Sequence, residues 1–234
     1  MKKIIGNIRK ALREYNMIED GDKIAVGVSG GKDSLTLLMA LKNLQMYYDK
    51  TFDFIAVSIN PNFDFFDINL IENFCNSLSI PLIIENSHSK EIVFDIRKEK
   101  NPCSLCANLR RGILNSIAIR ENCNKIALGH NEDDVIETFI LSLFYNGNVH
   151  TFAPKSYMDR SKITVIRPLI YLSEKDIKSF INRNKIAVMN KCCPMDGNSK
   201  RENIKEMIND LQKSIPNIKS NLYGAIKRSN IQGW

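Results

Sequence analysis

Apolar residues fall into short runs separated by polar stretches, and the spacing within each run predicts an element. Ile4, Ile8, Leu12 and Met17 recur at helical intervals, which predicts an amphipathic helix at the start of the chain. KIAVGV (23–28) predicts a buried strand, and Leu35, Leu38, Met39 and Leu41 open a helix behind it. DFIAVSIN (53–60) predicts a second strand, DINLIENFCNSLSI (67–80) a helix and PLIIEN (81–86) a third strand. A polar, basic connection leads to CSLCANLRRGILNSIAIREN, with Leu109, Ile113 and Ile117 on one helical face. KIALG (125–129) predicts a fourth strand and EDDVIETFILSLFYNG another helix. ITVIRPLI (163–170) reads as a strand ending at Pro168. SEKDIKSFINRNK predicts a helix with Ser173 as N-cap and Asp176 at its third position, resembling a capping box. NSKRENIKEMINDLQK predicts a last long helix before a polar tail.

Strands alternating with helices predict an α/β fold, a doubly wound and mainly parallel sheet with helices on both faces. Ligands of such sheets sit beyond the carboxyl ends of the strands. Two loops fall there, one after Val28 and one at Gly129.

Composition narrows the class. At 234 residues and 44% hydrophobic content the chain can bury a sizeable core. No apolar run is long enough to span a membrane, and the basic N-terminus lacks the apolar stretch of a signal peptide. The expectation is a soluble cytoplasmic protein with no membrane partner. The net charge of +7 is unevenly placed: residues 1–14, 97–125 and 198–228 hold the basic excess, and the rest is acidic. These segments are either a polyanion-binding face or solvated helix surfaces. Of six cysteines, Cys75 and Cys123 lie in apolar segments and read as core residues. Cys103 and Cys106 form a Cys-x-x-Cys pair, which in a reducing compartment suits metal binding or redox chemistry. Two thiolates so spaced can share one metal or cluster, and a following helix N-terminus lowers their pKa. His88 and His150 sit in polar loops and read as solvated.

The loop Ser29-Gly30-Gly31-Lys32-Asp33-Ser34 joins a strand to a helix. Glycines there let the backbone approach a phosphate, helix N–H groups present partial positive charge, and Lys32 adds a point charge. The P-loop pattern fails, because Val26 stands where it needs glycine and Asp33 where it needs Ser or Thr. The loop instead resembles the SGGxDS signature of the PP-loop ATP pyrophosphatases. That resemblance implies ATP held by its β,γ-phosphates through Ser29, Gly30, Gly31, Lys32, Asp33 and Ser34 while the α-phosphate is attacked, usually with Mg²⁺. A carboxylate in a phosphate loop is consistent with a metal role for Asp33.

NPCSLCANLRRGIL, KIALGHNEDDVIETFILSLFYNG and VIRPLIYLSEKDI together resemble the tRNA 2-thiocytidine synthetase family, nearly end to end. What the resemblance implies is sulfur insertion at tRNA cytidine 32, with a [4Fe-4S] cluster held by Cys103, Cys106 and a third cysteine near the C-terminus. The family usually carries a second Cys-x-x-Cys there, whereas this chain has Cys192-Cys193-Pro194-Met195-Asp196. Aligning on Gly197 selects Cys193 as the ligand and sets Asp196 at the missing cysteine. Cys192 is left as a spare thiol or a packing residue. Gly129-His130-Asn131-Glu132-Asp133-Asp134 matches the family's GHxxDD stretch. By that match Asp133 is the candidate catalytic carboxylate, with Asp134 behind it and Asp33 assisting. Gly129, His130 and Val57 are candidate nucleotide contacts, His130 being equally readable as a structural residue. Arg110 matches a basic catalytic position of a related thiolase group. A guanidinium hardly deprotonates, so it would stabilise negative charge.

The implied organisation is an N-terminal helix (1–20), a PP-loop catalytic domain (21–190) and a C-terminal helical segment (191–234) supplying a cluster cysteine and basic residues. Expected partners are tRNA and a sulfur donor, either a cysteine desulfurase or sulfide; a homodimer is a further expectation. Two rival readings stand: another PP-loop ligase or amidotransferase, and a non-catalytic metal-binding module.

Overall fold

The computed structural model describes residues 2–98, 102–189, 199–231 and 233–234. Cys192, Cys193 and Asp196 lie outside the described residues. In chain order the elements are α1 (Lys2–Glu14), β1 (Asp22–Val28), α2 (Lys32–Tyr47), β2 (Phe52–Asn60), α3 (Ile68–Ser77), β3 (Leu82–Asn86) and α4 (Pro102–Arg120). Then follow β4 (Lys125–Ala127), α5 (Glu132–Asn146), β5 (Lys155–Met158), β6 (Ile163–Ile166), α6 (Glu174–Arg183), α7 (Lys200–Ser214) and α8 (Ile218–Arg228).

The six strands form one sheet in the order β3-β2-β1-β4-β6-β5. All neighbours run parallel except β5, which pairs antiparallel with β6. The expected doubly wound sheet is present. Strand order reverses between β1 and β4, so the crevice of the sheet opens where the loops after those two strands diverge.

Alternation along the strands assigns the faces. Ile24, Val26 and Val28 of β1 bury against Leu35, Leu38 and Leu41 of α2, in a core shared with α1, α3, α6 and α8. Ala25 of β1, Val57 of β2 and Ile126 of β4 point the other way, onto Leu114, Ile117 and Ala118 of α4. Cys75 and Cys123 are buried, one in each core. A third cluster joins Ile136 and Ile140 of α5 to Ile204 and Ile208 of α7.

At the amino end of the sheet, β1 and β4 are fastened by an ion pair. Lys125 Nζ lies 2.6 Å from Asp22 Oδ2, with both side chains nearly sealed from solvent (6% and 4% exposed). Lys125 also donates to the Met17 carbonyl, while Asp22 accepts from Asn124 Nδ2 and the Glu19 N–H. Every charge in this cluster is therefore hydrogen-bonded, the condition under which a buried pair is tolerated.

Three sequence expectations are corrected. The basic connection after β3 holds a wide helical turn, Glu91–Ile96. Residues 155–158, which carry no recognisable pattern, form β5. The polar tail is helix α8, anchored by Ile226 with Tyr223 packed partly alongside.

Candidate active site

The loop after β1 is shaped by its glycines and serines. Gly30 has φ +77°, a conformation favourable only to glycine. Gly31 stands at the N-cap of α2, and no side chain caps that helix. The leading amides of α2 are thus left for an external acceptor, the arrangement that binds anions. Ser34 Oγ bridges the loop, donating to the Gly31 carbonyl at 2.9 Å and accepting from the Ser29 N–H at 3.3 Å. Met189 covers the loop from outside. Its N–H donates to the Gly30 carbonyl at 3.0 Å, and its Cε lies where a Cβ on Gly30 would be, 2.5 Å away.

Lys32 does not project freely. Its Nζ lies 2.9 Å from Asp33 Oδ2 and 3.1 Å from Glu174 Oε1. Burial alone would lower its pKa, but these two carboxylates outweigh burial and raise it, so Lys32 is a permanent cation.

The loop after β4 docks on the first. A Cβ on Gly129 would come within 3.2 Å of the Asp33 carbonyl carbon and the Ser34 nitrogen, so glycine is what lets the two loops touch. Asn131 Nδ2 donates to Asp33 Oδ1 at 2.9 Å. Asn131 is also the N-cap of α5 in a reciprocal capping box: its Oδ1 accepts from the Asp134 N–H, and Asp134 Oδ2 accepts from the Asn131 N–H. The reciprocal box expected at Ser173 is half present. Ser173 accepts from the Asp176 N–H, while Asp176 Oδ1 takes Lys3 instead.

The acidic residues at the start of α5 divide their work. Asp134 Oδ1 pairs with Arg201 at 3.2 Å, and burial pushes its carboxyl up against that pull. Asp133 is held on both oxygens. Oδ2 accepts the Glu174 N–H at 2.7 Å, and Oδ1 pairs with Lys219 at 2.9 Å, so it ties α5 to α6 and α8. One turn on, Glu137 is buried and its pKa is pushed up to about 7, by burial first and the neighbouring Asp134 second.

His130 packs on Phe152, with ring centroids 4.7 Å apart and planes tilted by 37°, and the Arg167 guanidinium lies over the same ring at 4.9 Å. Burial, followed by Arg167, Arg201 and Arg111, drives the His130 pKa down to about 3, so the imidazole is neutral. Its Nδ1 is buried without a hydrogen-bond partner among the described residues. Val57 is 1% exposed in the core on the α4 face, so its side chain is remote from solvent. The neighbouring Ser58 pairs in register with Val28 at the loop's root, and its buried Oγ has no partner among the described residues. Nothing in the sequence marked Ser58 or Glu174.

Cys103 and Cys106 occupy the first turns of α4 itself rather than a loop before it, Cys103 exposed and Cys106 half-buried. The expected lowering of both thiols is not seen at Cys106. Burial raises it, and nearby Arg110 only partly offsets that. Two donors on one exposed helical turn suit a shared metal or cluster and leave its remaining ligands to come from elsewhere. Among the described residues no group of three or more His, Cys, Asp and Glu side chains forms a metal site. His88 is exposed and bonded to Glu91, and His150 is half-buried.

The PP-loop domain model matches residues 2–211. Two relatives named tRNA-cytidine(32) 2-sulfurtransferase match nearly end to end. The protein of Geotalea uraniireducens is 38% identical over 98% of this chain and 92% of its own length. That of Geotalea daltonii is 39% identical over 99% and 92%. The chain belongs to the PP-loop family of tRNA-cytidine 2-sulfurtransferases. Its fold matches a solved structure, the U34-tRNA thiolase NcsA from Methanococcus maripaludis with its [4Fe-4S] cluster, at TM-score 0.78. That likeness covers 98% of this chain and 80% of the thiolase at 24% identity. The NH3-dependent NAD synthetase of Campylobacter jejuni matches more distantly, at TM-score 0.53 and 15% identity over 97% and 89%. The glycine-shaped loop lies within the matched PP-loop domain. No described helix is long and apolar enough to cross a membrane.

Proposed function

We propose that this protein is an ATP-dependent tRNA sulfurtransferase that converts a cytidine, at position 32 of the anticodon loop, to 2-thiocytidine. The observation that carries the reading is full-length identity of 38–39% to proteins of that name, with the phosphate loop's geometry intact. When bound, ATP supplies an adenylate leaving group at the base O2, and a [4Fe-4S] cluster supplies a point of attachment for sulfur.

In this reading Ser29, Gly30, Gly31, Lys32 and Ser34 hold the β,γ-phosphates, and Asp33 holds Mg²⁺ at the loop's mouth. Gly129 keeps the second loop against the first, and neutral His130 contacts the nucleotide as a hydrogen-bonding group rather than as a cation. Val57 can contribute backbone only. Arg110 stabilises the negative charge that develops as sulfur attacks. Asp133 is the catalytic carboxylate, and its pairing with Lys219 has to open for it to reach a base. Cys103, Cys106 and Cys193 would hold the cluster, which would supply the site of sulfur attachment, and Asp196 is a harder donor than thiolate and would not be a strong fourth ligand. The sulfur donor is a cysteine desulfurase or sulfide, the protein works in the cytoplasm, and two copies form a homodimer. The three-part organisation, with residues 191–234 supplying a cluster cysteine, belongs to the same proposal.

The test is mass spectrometry of tRNA nucleosides from cells with and without the gene. Loss of 2-thiocytidine alone supports the reading, and an unchanged profile removes it. Iron and sulfide counts after anaerobic reconstitution of single Ser variants test the ligands. Loss of the cluster in Cys192→Ser but not Cys193→Ser would shift the assignment by one residue.

A further inference from the structure

Three ammonium groups converge on a single carboxylate oxygen beside the phosphate loop. Glu174 Oε1 lies 3.1 Å from Lys32 Nζ, 3.1 Å from Lys205 Nζ and 3.2 Å from Lys178 Nζ. Lys205 lies 3.1 Å from the other oxygen as well. Lys32 comes from the loop, Lys205 from α7 and Lys178 from one turn along α6, so three elements meet at one acidic atom. We propose that Lys32, Lys205 and Lys178 form a polyphosphate subsite, and that Glu174 is the anion occupying it until the terminal phosphates of ATP or pyrophosphate displace it. This rests on the phosphate-loop reading and adds Lys205, which no signature marks, to the nucleotide grip.

The chemistry favours exchange. A carboxylate offers two oxygens and one charge, whereas a terminal phosphate offers three oxygens and nearly two charges. Lysine binds phosphate as a point charge without demanding a planar partner. Glu174 is the first residue of α6 and its N–H is anchored on Asp133, so its side chain can swing aside while the helix stays in place. Burial raises the Glu174 pKa, but Lys32 and Lys205 outweigh it and hold it at about 2, so the occupant is fully ionised. The Lys32 and Lys205 side chains are 26% and 28% exposed, sheltered enough for the charges to count yet open to an incoming ligand.

Calorimetric titration with magnesium pyrophosphate, MgATP and AMP separates this subsite from a structural strut. Lys205→Met should weaken pyrophosphate and ATP binding roughly ten- to a hundredfold, the range for a charged hydrogen bond, and leave AMP binding unchanged. Glu174→Gln should tighten pyrophosphate several-fold, because the competing anion is gone. A strut would give the opposite: lower thermal stability with weaker or unchanged pyrophosphate binding. If Lys205→Met binds pyrophosphate like the wild type, or Glu174→Gln fails to tighten it, the subsite is overturned while the phosphate loop stands. A wild-type protein that binds neither ATP nor pyrophosphate overturns both. Should Lys205→Met not fold, Glu174→Gln and Lys178→Met carry the test, Lys178→Met losing less because its side chain is 56% exposed.

Discussion

Gly30 and Gly31 are neighbours with different duties, and alanine at each should fail differently. At Gly30 the backbone sits at φ +77°, and a Cβ would meet Met189 Cε at 2.5 Å and Sδ at 3.0 Å. The left-handed conformation costs a residue with a side chain about 1–2 kcal/mol. Displacing Met189 adds about 1–2 kcal/mol, toward the low end for overpacking because a methionine terminus is flexible. The sum, roughly 2–4 kcal/mol, lowers Tm by on the order of 10 °C in a chain of this size. At Gly31 φ is −79°, and a Cβ would meet only Ser29 Oγ, at 3.4 Å. Loss of a favourable N-cap there, about 0.5–1 kcal/mol, is offset by the lower entropy of the unfolded chain, about 0.4–1 kcal/mol. Gly31→Ala should therefore melt within a few degrees of wild type yet lose ATP binding, because its methyl stands where phosphate must approach. Differential scanning fluorimetry with MgATP titration reads both effects. A Gly30→Ala protein as stable as wild type would refute the strain argument, and a Gly31→Ala protein that binds ATP normally would refute the loop's role.

Glu137 sets a pH dependence. Its folded pKa of about 7 lies above its ordinary 4.5, so between those values the folded protein keeps a proton that the unfolded chain has released. Its contribution to stability therefore falls as pH rises from 4.5 to 7, by on the order of 2 kcal/mol. Glu137→Gln should flatten that decline, and parallel Tm profiles of the two proteins from pH 5 to 8 would contradict it. Asp133→Asn keeps an acceptor for the Glu174 N–H but loses the charge facing Lys219. Thiolation should collapse and Tm should also fall, because the pair ties α5 to α8, while Lys219→Met should lose Tm likewise but retain activity; an active Asp133→Asn enzyme ends the catalytic assignment. Affinity for tRNA should fall steeply with salt, and Arg111→Gln should reduce the slope by about 0.7–0.9. Arg201→Gln should lower Tm instead, because Arg201 is bound to Asp134 and Thr138.

That last contrast shows where reading the sequence stops. Net charge marks residues 198–228 as basic, but their cations are largely engaged inside the molecule: Arg201 with Asp134, Lys205 with Glu174, Lys219 with Asp133 and Lys227 with Glu14. Arg110 and Arg111 of α4, by contrast, have no ion-pair partner among the described residues. A linear count cannot tell these cases apart, because the neutralising carboxylates lie far along the chain. The strands β1 to β4 and β6 were legible because buried strands write themselves as short apolar runs. β5 was not, since a half-buried four-residue edge strand needs only a partner and no pattern. The loop after β1 stood out in the sequence for its paired glycines, of which backbone strain requires Gly30. The capping box at Asn131 and Asp134 escaped because Asn and Asp replace the usual Ser or Thr and Glu or Gln. Glu174 escaped because its role exists only once three helices have assembled.

The Asp22–Lys125 pair acts as the pivot of a pair of pliers. It clamps two adjacent strands at one end, while the loops proposed to grip the nucleotide are the jaws at the other. Removing either partner would strand a buried charge, at about 3–5 kcal/mol, without touching a reacting group. Substitutions at the pivot should therefore be read in protein abundance, and those at the jaws in turnover. A variant library of this chain should accordingly sort into two classes along the length of β1 and β4, with the boundary within seven residues of Asp22.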